Sequence, residues 1–126
     1  MAGADGGPAY ADWPRIGGAW VPSTAFRLEP IWRNFVEDHA TQHLIHRTLG
    51  YAVALIAFVL GFAAPIRGRG AARCAGAAVG VIALLQAGLG VHALLSASAL
   101  WPSLAHQAGA VALWTMALVL ARAAWR

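Results

Sequence analysis

The stretch CAGAAVGVIALLQAGLGVHALLSASALWPSLAHQAGAVALWTMALVLA, residues 74–121, contains no Asp, Glu, Lys or Arg. Its 48 residues decide the fold. As one helix they would measure about 72 Å, against a bilayer hydrocarbon core of about 30 Å. The run is therefore read as two membrane spans with a turn at Ser96-Ala97-Ser98-Ala99-Leu100-Trp101-Pro102. Pro102 suits the first turn of a new helix, a serine suits its cap, and Trp101 suits the interfacial aromatic belt. A third uncharged run, 48–66, ends at the break Pro65-Ile66-Arg67-Gly68-Arg69-Gly70. The expected spans are about 44–66, 73–97 and 102–122, with short connections that make consecutive helices antiparallel neighbours.

Composition agrees with that reading. The chain has 126 residues, 60% of them hydrophobic and 11% charged, with a mean hydropathy of +0.60. Soluble domains carry roughly 25% charged residues, so too few charges exist here to cover a soluble surface. All nine basic residues are arginines, and they produce the pI near 10.7. They bracket apolar runs instead of clustering on one polar face, which argues against a nucleic-acid partner. The single cysteine, Cys74, excludes a disulfide within the chain and any multi-cysteine metal cluster.

Arginine placement sets an expected orientation. Arg67, Arg69 and Arg73 lie between the first two spans, Arg122 and Arg126 follow the third, and the Trp101 turn has none. The positive-inside rule puts the arginine-bearing connection and the C-terminus in the cytoplasm and the Trp101 turn outside. Residues 1–43 then form an extracytoplasmic segment, punctuated by Pro8, Pro14, Pro22 and Pro30 and carrying three arginines against five acids. Within it, Trp32 and Phe35 are spaced for one face of a short interfacial helix near 30–38. Residues 1–7 have no positively charged stretch leading into an apolar one. Export of this segment therefore leads to the expectation that an upstream membrane portion precedes it.

Five histidines remain to be read: His39, His43, His46, His92 and His106. Counted along helices from the arginine end, His46, His92 and His106 lie at roughly 31, 28 and 24 Å, one in the outer half of each span. Ionisable residues inside spans are candidate functional sites. Two histidines on facing helices can hold a haem edge-on, with neutral imidazole as the iron ligand. His46 with His106 is one such pair; packing alone is the other reading. His92 reads as a helix–helix hydrogen-bonding residue, with ligation as the other reading. His39, His43 and His46 form an i, i+4, i+7 stripe, and a pair four apart can bind zinc. No cysteine ligand and no HExxH glutamate accompanies it, so His39 and His43 read as interfacial polar residues at the helix entrance. Arg47 is either a contact for a haem propionate or a snorkelling anchor. Glu37 is a candidate proton-transfer acid, or a solvated carboxylate at a helix start. Gly76 and Gly80 form a GxxxG that permits close helix packing, while Gly88 and Gly90 leave room for a flat ligand or another helix.

At these residues the chain resembles a known family. Trp32-Arg33-Asn34-Phe35-Val36-Glu37-Asp38, then Gln42-His43-Leu44-Ile45-His46-Arg47 and Tyr51, resemble the haem A synthase pattern WxNFxEN…VQFxHRxxAY. Leu85-Gln86-Ala87-Gly88-Leu89-Gly90 and Leu104-Ala105-His106-Gln107-Ala108-Gly109 resemble its LQxxLG and LxHQxGA elements. Ala2-Gly3-Ala4-Asp5-Gly6-Gly7, with Tyr10, Trp13-Pro14 and Gly17, looks like its AGxxAG…YNxWPxMxG loop. The chain departs from the pattern at His43, where the family has Gln, and at Asp38, where it has Asn. His92 stands where the family has a small residue or Thr, so the resemblance does not make it a ligand. The outward cysteine pairs of some members are missing.

The resemblance implies an all-α membrane protein, with three transmembrane helices of a four-helix haem-binding half-bundle preceded by an extracytoplasmic loop. It implies the C-terminal half of a two-half protein that oxidises the ring-D methyl of haem O to a formyl group. Carried over by position, His46 and His106 become the axial ligands of a haem b iron, with Arg47 beside them. Implied partners are the N-terminal half or equivalent helices, haem O as the family's substrate, membrane lipid, and a second copy as a candidate. The expected location is a bacterial inner membrane, with the mitochondrial inner membrane as alternative. A standalone small cytochrome b-like subunit and a haem-free membrane assembly protein are the competing readings.

Overall fold

A computed structural model of the chain describes residues 10–125. The AGxxAG-like stretch, the reading of residues 1–7 and Arg126 lie outside the described residues. Three long helices form, α1 (His39–Arg67), α2 (Gly70–Leu95) and α3 (Leu100–Ala124), each long and apolar enough to cross a membrane. No β-strand forms among the described residues, apart from one isolated bridge between Ile16 and Ala19. The chain is an all-helical membrane protein.

The helix ends differ from expectation for local reasons. The segment near 30–38 contains only a five-residue 3-10 turn, Ile31–Phe35, where an interfacial helix was expected. Within it, the Asn34 side chain bonds back to the backbone of Leu28 and Ile31. The next helix starts at His39, ahead of the span expected at about 44–66, and Asp38 is its N-cap, accepting from the amides of Ala40 and Thr41. Such a cap supplies partners for amides that a helix start otherwise leaves orphaned. At the other end, α1 runs through Pro65 to Arg67, in its last turn, where little helix follows the proline. No serine caps α3, whose preceding residue is Ala99. The Ser96 hydroxyl instead donates to the His92 carbonyl at 2.6 Å, and Ala97 and Ser98 reverse the chain with positive φ angles of 51° and 59°.

Helix α2 lies in the middle, with α1 and α3 packed along it. Mostly small residues line the contacts: Ala57, Ala75, Val79 and Ala83, with Leu120, form the buried cluster. The GxxxG acts as its spacing implies. A Cβ on Gly61 would stand 2.5 Å from the Gly80 Cα, and Gly76 faces Ala64 just as closely. Large side chains such as Leu55, Ile56, Val59, Leu84 and Val111 point outward. That inversion suits a bundle whose surroundings are as apolar as its side chains, so that close backbone approach holds the helices together.

Candidate functional site

The segment before α1 folds as a cap against the start of α1, and polar side chains hold it there. Asn34 is fully buried. Its Nδ2 donates to the carbonyls of Leu28 (2.7 Å) and Ile31 (2.9 Å), and its Oδ1 accepts from the Leu28 amide (2.8 Å). Asp38 accepts from the Thr41 hydroxyl and, more weakly, from the Phe26 amide, while that amide also donates to the Thr41 oxygen at 2.8 Å. Partial burial alone would push the Asp38 carboxyl up. Hydrogen bonds from Thr41, Ala40 and Phe26 outweigh it and hold the group below its ordinary value. Gln42 Nε2 donates to the Val36 carbonyl at 2.5 Å. Glu37, the candidate acid, is paired with Arg33 at 2.5 Å on an exposed surface, and that hydrogen bond keeps its carboxyl below the usual range.

Arg47 faces the cap. Its guanidinium donates to the carbonyls of Arg15 (2.5 Å) and Tyr10 (2.9 Å), residues more than thirty positions away along the chain. Asp12 accepts from the amides of Gly18 and Gly17, which lower its pKa, and the nearby Arg47 charge adds to that. His43 is buried, 5% exposed, with its ring 5.4 Å from that of Tyr10. The structure thus gives Arg47 and His43 a shared place beneath the cap. Arg47 here anchors a loop.

One turn along α1, His46 turns away from the cap toward α3. The ring centres of His46 and His106 are 6.2 Å apart, with planes at 79°. Two features of α2 shape this meeting. Gln86 Nε2 donates to the His106 carbonyl at 2.8 Å, tying α2 to α3 at that residue. Gly90 lies against the imidazole, where a Cβ would stand 2.8 Å from His106 Cε1. Gly109 does the same for Gln86, since any side chain there would strike Gln86 Oε1.

This pair fits a bis-histidine haem iron. Metal–imidazole nitrogen bonds of about 2.0 Å, plus about 1.1 Å from each nitrogen to its ring centre, put the ring centres roughly 6.2 Å apart. His106 Nδ1 is also buried without a hydrogen-bond partner, and Gln86 Oε1 is likewise orphaned. Buried polar atoms of this kind are costly unless something satisfies them. No group of three or more His, Cys, Asp or Glu arranged for a metal ion occurs among the described residues.

Of the three histidines at one depth, the structure brings two together. His92 is exposed near the end of α2, and His39, half-buried, opens α1. The 39–43–46 stripe divides, with His43 beneath the cap and His46 toward α3. Gln86 was quoted in the LQxxLG-like element but given no role, although its amide in the middle of an uncharged span was the available signal, since polar side chains there bond across helices.

These features define a class: a multi-pass helical membrane protein with a capped end and a pair of imidazoles between two helices. The chain belongs to the cytochrome oxidase assembly protein family COX15-CtaA, whose pattern matches residues 1–118. It is 41% identical over 118 residues to a heme A synthase of Paracoccus denitrificans, covering 94% of this chain and 31% of that protein. A heme A synthase of Roseobacter denitrificans is 39% identical over 122 residues, with the same coverage. One from Methylobacterium radiotolerans is 38% identical over 124 residues, covering 97% of this chain and 34% of the relative. The chain thus spans about a third of the length of the curated relatives it matches. No solved structure matches it.

Proposed function

We propose that this chain forms the haem b-binding part of a haem A synthase-like membrane oxidoreductase, with His46 and His106 as the axial ligands. The single observation that carries the reading is the 6.2 Å separation of the two rings, the span that two imidazoles on one iron require. Relatives named heme A synthase support it.

The bound haem would supply one-electron transfer toward the oxidation of the haem O methyl to a formyl group. The chain's own residues do the rest. His46 and His106 supply neutral imidazole nitrogens from two helices. Gln86 fixes the register of α3 against α2 at His106, and Gly90 leaves the ring its space. Arg47, Asp38 and Asn34 keep the cap seated against the start of α1. Glu37, paired with Arg33 on an exposed surface, is assigned no step in this reading. In this proposal the cap and the Trp101 turn face outward, the arginine-bearing ends face the cytoplasm, and the site that holds haem O belongs to partner helices outside this chain.

Haem titration of the detergent-purified chain tests the assignment. A Soret band should saturate at one haem per chain, and His46→Ala or His106→Ala should each abolish or shift it. A wild-type chain without a band, or two alanine variants that keep the wild-type spectrum, would sink the proposal.

A further inference from the structure

At the end opposite the histidines, α2 begins beside the last turn of α3. A groove of about 670 Å³ opens between them, within the size range of small-ligand sites. Its walls are apolar, with Ala72, Leu118 and Val119, and its rim carries Arg69 and Arg122. Both arginines are exposed. Arg67 and Arg73 lie near this end as well, at the close of α1 and the opening of α2.

The counter-charge for these four arginines is absent from the helices. The five acids of the chain are Asp5, Asp12, Glu29, Glu37 and Asp38, all of which precede α1. From residue 39 onward no acidic side chain occurs, and the ion pair found among the described residues is Arg33–Glu37, in the cap. Guanidinium groups in an apolar setting need an anion that matches their fork, and phosphate does so bidentately. An apolar groove continuous with two such groups suits an amphiphile with a phosphate at one end and hydrocarbon at the other. Basic pockets between membrane helices hold anionic lipid headgroups in this way.

We propose that the groove between the start of α2 and the end of α3 is a binding site for an anionic phospholipid. Arg69 and Arg122 grip the phosphate, and an acyl chain lies along Leu118 and Val119. The site is separate from the histidine pair and does not depend on haem.

The test uses the purified chain in detergent, titrated with phosphatidylglycerol and, separately, phosphatidylcholine, with retained lipid read by native mass spectrometry. Wild type should retain one phosphatidylglycerol and little phosphatidylcholine. Replacing both rim residues, Arg69→Gln with Arg122→Gln, should weaken phosphatidylglycerol about 30-fold, at roughly fivefold for each arginine near a lipid phosphate. Arg67→Gln with Arg73→Gln removes the same charge away from the groove and should change retention by less than threefold. Leu118→Trp keeps every charge but fills the groove, and should also lose the lipid. The proposal is overturned if both double variants lose lipid equally, which would indicate diffuse charge attraction. It is also overturned if Leu118→Trp binds as wild type, if phosphatidylcholine binds equally well, or if inorganic phosphate displaces the lipid at equal concentration.

Discussion

Replacing Gly90 by alanine adds one methyl group directly against the His106 imidazole. It would stand 2.8 Å from His106 Cε1, 3.3 Å from Nδ1 and 3.5 Å from Nε2. The crowded atoms belong to a side chain, so the backbone of α3 need not move; the imidazole must. Restoring ordinary contact takes a retreat of about half an ångström, the tolerance beyond which a binding constellation fails. Changes that disturb the orientation of a metal ligand cost about 10–100-fold in affinity, and the Gly90→Ala variant should lose haem affinity in that range. Its helices should be unharmed, since alanine is favoured over glycine in a helix by about 1 kcal/mol. Gly88→Ala is the matched control, because a Cβ there meets nothing within 4 Å. Spectrophotometric haem titration and far-UV circular dichroism melts of both variants make the measurement. The reasoning is refuted if Gly90→Ala binds haem within twofold of wild type, or if Gly88→Ala loses affinity to the same extent.

Gly61→Ala confronts backbone instead: its Cβ would lie 2.5 Å from Gly80 Cα and 2.9 Å from Gly80 N. Separating α1 from α2 should cost about 1–3 kcal/mol, read as a lower melting temperature in detergent. Asn34→Ala removes three hydrogen bonds at a fully buried site, a loss of about 1–3 kcal/mol confined to the cap. Limited proteolysis should then cut within residues 20–38 while helical content persists. Asp12 and Asp38 have pKa values below their ordinary 3.8 in the folded chain, so their contribution to cap stability is complete above that value. It drains as pH falls through the lowered values. Hydrogen exchange of the Gly17, Gly18 and Thr41 amides should therefore accelerate, after correction for intrinsic rates, only in strong acid. Acceleration already at pH 5 would contradict it.

The three helices were legible because a membrane span needs only length and the absence of charge, and 48 uncharged residues meet both conditions. Their ends were less so. Asp38 departs from the family's usual asparagine, yet its role is the local one of an N-cap at the start of α1. Depth along a helix could also be counted, which placed His46, His92 and His106 at one level. Azimuth could not, because it depends on how α2 and α3 rotate against each other, and the structure leaves His92 exposed. Arg47 shows the same limit. Its neighbour His46 is adjacent in sequence but about 100° round the helix, so the two face different partners. Gln86 and Gly90 act through contacts that only helix packing creates.

Electron paramagnetic resonance of the haem-loaded ferric chain tests the central claim most directly, because it reports both the number of axial imidazoles and the angle between them. With His46 and His106 as the pair and their planes at 79°, the signal should be low-spin and strongly anisotropic, the form that near-perpendicular imidazoles produce. A high-spin signal from iron with a single axial imidazole would contradict the account.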